Sequence, residues 1–263
     1  MTGPLALSII LPLYDEAESL PILWRELDEA LRTLPGPAEV IFVDDGSTDA
    51  SAAVIRELMA HESRIRLVRL AANAGLSAAF HAGLTRARGS IIVTMDSDLQ
   101  SDPRDIQRLL ARLDGADAVV GWRRRRRDPW LKRVSSRIAN AIRVVATGDR
   151  IRDSACSLRV MRRECVGAIP PFAGLHRFVP TLLRMGGHRV VEMPVNHRPR
   201  RFGYSKYGIR NRAVVAFVDL LFVRWMLARA PCYDALEERE VPPAEPQRAV
   251  TPTVPSPAAA LKS

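Results

Sequence analysis

Apolar runs and amphipathic stretches alternate along the first 121 residues, with short links between them. No other feature restricts the fold as strongly. The stretches "LALSIIL" (5–11), "EVIFV" (39–43), "IRLVRL" (65–70), "SIIVTM" (90–95) and "DAVVG" (117–121) read as strands. Between them, residues 19–34 carry Leu20, Leu23, Trp24, Leu27, Leu31 and Leu34 at helical spacing, and 49–59, 75–87 and 103–113 read as further helices. Pro21 falls in a first turn, where its missing N–H is tolerated. Strands joined through helices predict an α/β fold: a mostly parallel sheet with right-handed crossovers and helices on both faces. Ligands sit beyond the carboxyl ends of the strands in such sheets.

A polar cluster follows each of the first four strands: Pro12-Leu13-Tyr14-Asp15-Glu16, Asp44-Asp45-Gly46-Ser47, Asn73-Ala74-Gly75 and Asp96-Ser97-Asp98-Leu99-Gln100. Singly, each reads as turn chemistry, and Asp49 as a helix cap. Four along one sheet edge point to a ligand site. In the last cluster, carboxylates two apart on a strand face the same side, and like charges there repel. Asp96, Asp98 and the Gln100 amide are hard oxygen donors. They suit Mg²⁺ or Mn²⁺, which would offset the repulsion and take further oxygens from a diphosphate. Pro12, Tyr14, Glu16, Asp44 and Asp45 could contact the base and ribose of a nucleotide. Asp102-Pro103 starts the next helix, and Leu99 packs away from the site.

The charge balance narrows the partners. Lys and Arg number 39 against 29 Asp and Glu, a net charge of +10. Such a chain favours an anionic partner: nucleic acid, a phosphorylated substrate or a membrane surface. The arginines concentrate in "WRRRRRDPWLKRVSSR" (122–137) and in the loop within "HRVVEMPVNHRPRRFGYSKYG" (188–208), where Gly203 is a hinge. Either could bind phosphate. Nucleic acid is disfavoured, because no aromatic stacking pattern accompanies the arginines and the acidic strand ends would repel a phosphate backbone.

The apolar share of 47% supports a packed core. The three cysteines, Cys156, Cys165 and Cys232, lack metal or disulfide spacing, which fits a reducing compartment. The start, "MTGPLALSIILPLYDEAES", has no basic n-region or cleavage site and reads as a strand rather than a signal peptide. No uncharged apolar run approaches the ~20 residues that span a bilayer. Residues 136–148 read as a helix, and "RDSACSLRVMRREC" (152–165) returns to the core. The apolar stretch 213–230 is interrupted by Asp219, Arg224 and Arg229, which share no helical face. It is either a core or docking helix or an in-plane interfacial helix with Trp225 at headgroup level. The Pro- and Ala-rich end reads as disordered. The resulting division is a catalytic domain over 1–212, an apolar helix over 213–233 and a tail over 234–263.

These motifs carry a family resemblance. "LPLYDE", "VDDGSTD", "NAG…AAFHAG", "MDSDLQ.DP", "GWR…LKRVSSRIAN", "DSACSLRVMRR" and "RRFGYSKYG" resemble the ordered motifs of family 2 inverting glycosyltransferases, in the branch of dolichol-phosphate mannose synthase and bacterial polyprenyl-phosphate sugar transferases. The resemblance covers about residues 5–230. It implies a GT-A (Rossmann-like) fold and transfer of a hexose from a nucleotide sugar to undecaprenyl or dolichyl phosphate at the cytoplasmic membrane face. Such an enzyme is peripheral on an anionic membrane surface, with or without an integral-membrane partner. The same fold could instead serve a glycan hydroxyl in envelope polysaccharide synthesis.

By the same resemblance Asp96, Asp98 and Gln100 match the metal and diphosphate set, and Pro12, Tyr14, Glu16 and Asp44 the nucleoside pocket. Arg123, Arg133, Ser136 and Arg137 match the acceptor loop, and Arg200, Ser205 and Lys206 the segment that closes over the phosphates. Asp98, Asp153 and Arg200 are the catalytic candidates. Asp153 has two readings: an acid/base or arginine-orienting group, or a buried partner of Arg152 or Arg159. Asp15 stands where the family usually has Asn, and the paired C-terminal membrane helices of many relatives are missing.

Overall fold

The structure, a computed structural model, describes residues 6–123, 141–149, 151–202 and 209–229. Arg133, Ser136, Arg137, Gly203, Ser205, Lys206 and the tail from 234 lie outside the described residues. The described residues belong to one compact unit, Met1–Ala230.

Seven strands build one sheet: β1 (Leu7–Leu13), β2 (Ala38–Asp44), β3 (Ile65–Arg69), β4 (Ile91–Thr94), β5 (Ala118–Arg123), β6 (Arg159–Arg162) and β7 (Val190–Val195). The helices are α1 (Leu20–Leu31), α2 (Ser51–His61), α3 (Leu76–Arg86), α4 (Asp105–Ala111), α5 (141–147), α6 (Val179–Met185) and α7 (Ile209–Arg229). The order is β3-β2-β1-β4-β6-β5-β7, and β6 runs antiparallel to both its neighbours. The other pairings are parallel, so the sheet is mostly parallel with one reversed strand.

The period of two in the strands sorts the core. On β1, Leu7, Ile9, Leu11 and Leu13 join one apolar cluster with α1, α2 and α4, while Ile10 joins the other with α3, α6 and α7. On β2, Val40 and Phe42 take the first side, Ile41 and Val43 the second. Strands buried on both faces read as continuous apolar runs for this reason. α3 lies so close to β1 that a Cβ on Gly83 would come within 2.3 Å of Ile10 Cγ2.

α7 has two characters. Leu220 and Val223 are buried in the second cluster, and the 9%-exposed Asp219 pairs with Arg177 at 3.3 Å. Val215, Phe217, Val218, Leu221, Phe222 and Trp225 are exposed. The interrupting charges therefore do not form a polar face. Asp219 points into the protein, and Arg224 donates to the Ala146 carbonyl of α5. Among the described residues no helix is long and apolar enough to cross a membrane.

Candidate active site

The carboxyl edge of β1, β2 and β4 is held together by the acidic residues that follow the strands. Asp15 has φ +50°, in the left-handed region that Asn and Asp tolerate best among non-glycine residues. There its Oδ1 accepts from the Thr48 N–H at 2.7 Å and the Asp49 N–H at 3.3 Å, while its own N–H donates to Ser47 Oγ. An Asn would adopt the same backbone, which is the physical reason this departure from the family pattern is mild. Asp49 accepts from the N–H groups of Ala17 and Ser51.

Asp44, the last residue of β2, is fully buried; it accepts from the Ser47 N–H and from Arg69 Nε, each at 2.8 Å. Asp45 accepts from the N–H groups of Ala74 and Gly75 at 2.8 and 2.9 Å. Burial raises its carboxyl above the ordinary range, and those two hydrogen bonds only partly oppose it. Gly46 has φ +72°, and a Cβ there would sit 2.6 Å from the Asn73 nitrogen, so only glycine closes this turn.

The cluster after β4 is different. The strand ends at Thr94, so Asp96 and Asp98 lie in the bend beyond it, and strand alternation does not aim them. Their placement comes from tertiary contacts. The Asp96 N–H donates to Ser157 Oγ, Ser97 Oγ donates to the Pro12 carbonyl at 3.0 Å, and Thr94 Oγ1 donates to the Ser157 carbonyl at 2.7 Å. Leu99 is buried at φ +62°, a costly conformation for a side chain of this size. That turn packs Leu99 into the core.

The chain after β7 runs beside this bend. Ser101 and His197 form a β-bridge, and Arg198 N–H donates to the Gln100 carbonyl. Arg198 pairs with Glu26 at 2.5 Å and Asp102 at 2.7 Å. Asp102 is thereby a brace between the two segments, and α4 begins at Asp105. This alignment brings Arg200 to Glu16 at 2.6 Å and to Asp98 at 3.6 Å. Asp98 accepts from the Gln100 N–H. Burial, then the neighbouring Asp96 charge, pushes its carboxyl up to about 6 in spite of Arg200. The Asp96 carboxylate has no hydrogen-bond or ion-pair partner among the described residues.

Asp153 takes neither predicted arginine. Its oxygens accept from Arg123 Nε and Nη2, each at 2.8 Å, with a further bond from the Arg123 N–H. Burial works against the Arg123 charge, but the Asp153 hydrogen bonds and charge outweigh it and raise its pKa. β6 and its approach segment form the far wall. Pro12, Phe80, Asp96, Ser157, Arg159 and His176 all line one pocket there.

The structure thus brings together Pro12, Glu16, Asp96, Asp98, Gln100 and Arg200. Asp44 and Asp45 lie at the same edge with their oxygens already used, and Tyr14 is half-buried beside them. Arg123 is tied to Asp153. Sequence reasoning passed over Ser157 and His176 and read Arg159 only as a partner for Asp153, not as a pocket residue. One sign was available: Arg159 is a charge at a core-facing position of a strand, between Leu158 and Val160.

The glycosyl transferase family 2 profile matches residues 8–169. The chain belongs to that family. It is also 37% identical over 229 residues to the dodecaprenyl-phosphate galacturonate synthase of Rhizobium johnstonii, which covers 85% of this chain and 68% of that protein. Among solved structures, glucosyl-3-phosphoglycerate synthase from Mycobacterium tuberculosis with Mn²⁺, UDP and glucosyl-3-phosphoglycerate superposes with TM-score 0.61 at 19% identity, over 88% of this chain and 82% of that one. A mannosyltransferase from Pyrobaculum calidifontis with GDP-Man and Mn²⁺ gives TM-score 0.57 at 22% identity, over 89% and 67%. These structures share the GT-A-like fold with this family 2 glycosyltransferase.

The family implies a divalent cation, and the donor set fits one. Asp96 and Asp98 are hard oxygen ligands close enough for their charges to repel, and Asp96 is unpaired among the described residues. Gln100 Nε2 donates to the Arg198 carbonyl, which fixes the amide and leaves its oxygen as an acceptor. Among the described residues no three His, Cys, Asp or Glu side chains gather as a metal cluster. A two-carboxylate set leaves coordination positions for a diphosphate and water, as Mg²⁺ and Mn²⁺ prefer.

Proposed function

We propose that this enzyme moves a hexose from a nucleotide sugar to a polyprenyl phosphate, undecaprenyl or dolichyl, with inversion, at the cytoplasmic face of the membrane. The observation that carries the reading is the Asp96 carboxylate, unpaired among the described residues, beside Asp98, with Arg200 paired to Glu16 and 3.6 Å from Asp98. Asp96, Asp98 and Gln100 would hold Mg²⁺ or Mn²⁺, which when bound neutralises charge on the departing diphosphate. Arg200 adds a guanidinium suited to phosphate oxygens. The first-strand loop, Pro12 to Glu16, frames the nucleoside, and Asp44 and Asp45 hold the loops beside it.

In the displacement, an acceptor phosphate oxygen forms the new bond to the anomeric carbon as the bond to the nucleotide diphosphate breaks. That oxygen is already ionised near neutral pH, so no general base is required. Asp153 fits this chemistry as a positioning group, since both its oxygens are committed to Arg123. Arg123 would meet the acceptor phosphate, together with Arg133, Ser136 and Arg137, while Ser205 and Lys206 would close over the diphosphate with Arg200. The Rhizobium johnstonii relative is named for dodecaprenyl phosphate and galacturonate. A lipid phosphate acceptor and a hexose of the mannose, glucose or modified type are therefore the substrates to test.

The exposed apolar side of α7 supports a membrane location. Phe217, Val218 and Trp225 are each more than half exposed, and Arg229 stacks on the Trp225 ring at 5.9 Å. An apolar helix side edged by arginine and tryptophan suits the interface of an anionic bilayer. The test is transfer of labelled sugar from a nucleotide sugar into a lipid extract containing polyprenyl phosphate, with and without divalent cation. Label in an acid-labile lipid, dependent on the cation, is expected. Equal transfer after chelation, or transfer to a free glycan that lipid phosphate does not inhibit, overturns the reading.

A further inference from the structure

Arg159 is 2% exposed, yet no carboxylate forms a salt bridge with it among the described residues. Its Nη2 donates to the carbonyls of Ser154 and His176 at 3.1 and 2.8 Å, and its Nε has no hydrogen-bond partner. Burial pulls its pKa down, against the opposing influence of Asp96 and Asp153. A buried cation with an orphaned donor is expensive unless something anionic joins it.

Arg159 lines the pocket that Asp96 also borders. The other walls are the apolar side chains of Leu76 and Phe80, with Ser157 and His176 as polar partners. His176 Nδ1 and Ser77 Oγ lie 2.8 Å apart, and Ser77 Oγ also accepts from the Gly174 N–H, so the imidazole is held in place. A mostly apolar pocket with a few converging polar groups suits a sugar ring. Glu16, Asp98 and Arg200 do not line it. A cation at Asp96 and Asp98 would also remove the nearby negative charge of Asp96 from Arg159, deepening its need for an anion.

We infer that Arg159 pairs with a carboxylate on the donor sugar, so that the donor is a nucleotide hexuronate rather than a neutral nucleotide hexose. The inference rests on the sugar-transfer reading above and specifies its substrate class. The other anion within reach is the nucleotide diphosphate, and the experiment separates the two. A site built to pair with a polar group rejects analogues lacking it, because its own buried group is then left unpaired.

The full chain, with a divalent cation and a polyprenyl phosphate, is assayed with UDP-hexuronate and the matching neutral UDP-hexose, and UDP binding is titrated in parallel. The wild type should prefer the uronate by about 100-fold or more in kcat/KM. Arg159→Lys and Arg159→Gln should lose about 100-fold with the uronate, with little change in UDP affinity and no loss with the neutral hexose. Transfer of both sugars equally well by the wild type overturns the inference while leaving lipid-phosphate glycosylation standing. Failure to transfer either sugar overturns the underlying reading instead. An equal loss of UDP binding in the Arg159 variants assigns the residue to the diphosphate and also overturns it. If neither variant folds, the wild-type preference alone decides.

Discussion

Two acidic regions share one sheet edge and do opposite work. Around β1 and β2, the oxygens of Asp44, Asp45 and Asp49 accept hydrogen bonds from backbone N–H groups, and these carboxylates hold loops. After β4, the Asp96 carboxylate has no hydrogen-bond or ion-pair partner among the described residues, and the partly buried Asp98 beside it has Arg200 only at 3.6 Å. The difference teaches how to separate structural from ligand-facing carboxylates of the same type in equivalent positions. What matters is whether the protein has already used their oxygens, since a carboxylate with unspent lone pairs in a half-buried site needs a ligand.

The strongest challenge to this comparison is Asp96→Ala. It should lower kcat by at least about 100-fold while leaving the melting temperature near the wild-type value. A stable Asp96→Ala enzyme with full activity would erase the distinction. The reciprocal change, Asp45→Ala, orphans the Ala74 and Gly75 N–H groups. Denaturant unfolding should show a loss of about 2–3 kcal/mol, with kcat of the folded fraction much less affected.

A finer test uses pH. The folded Asp98 carboxyl titrates near 6, above the ordinary 3.8, so the folded protein keeps that proton to higher pH than the unfolded chain. Stability of the chelated protein therefore falls as pH rises from about 4 to about 6, then is flat with respect to this group. Asp98→Asn should remove that slope. It should stabilise the chelated protein by about 3 kcal/mol at pH 8, and hardly at all at pH 4. A slope unchanged in the variant would assign the titration to another group. The smallest effect belongs to Asp15→Asn, which keeps the left-handed turn and an acceptor oxygen. A stability change within about 0.5 kcal/mol is expected, and a larger one would show that the Asp15 charge itself matters.

Much of this enzyme is legible in its residues. The apolar runs locate β1, β2, β4 and β5 within a few positions, because a strand buried on both faces leaves a nearly unbroken apolar signature, whereas the edge strand β3 is only partly buried and carries Arg66 and Arg69. The polar clusters at their ends locate the ligand edge, because topology places all the carboxyl ends of parallel strands together. β6 escapes such reading. It is four residues long with arginine at both ends, and its reversal depends on the connection that delivers it. The partner of Asp153 escapes too. Arg152 and Arg159 are its near neighbours in sequence, but Arg123, 30 positions away, is the one the fold delivers.

The chain by itself determined the alternation of elements, the two-faced core and the collection of acidic residues on one edge, since these follow from the period of side chains along strands and helices. Only the tertiary structure decided which acids remain available. Asp96 and Asp98 are aimed by Ser157, Pro12 and the buried, left-handed Leu99 rather than by strand alternation. Arg200 reaches them through the Ser101–His197 bridge, and Arg159 is left without an anion in the pocket beside Asp96. Each of these depends on contacts between distant segments, and local pattern carries no record of whether a hydrogen bond is already made.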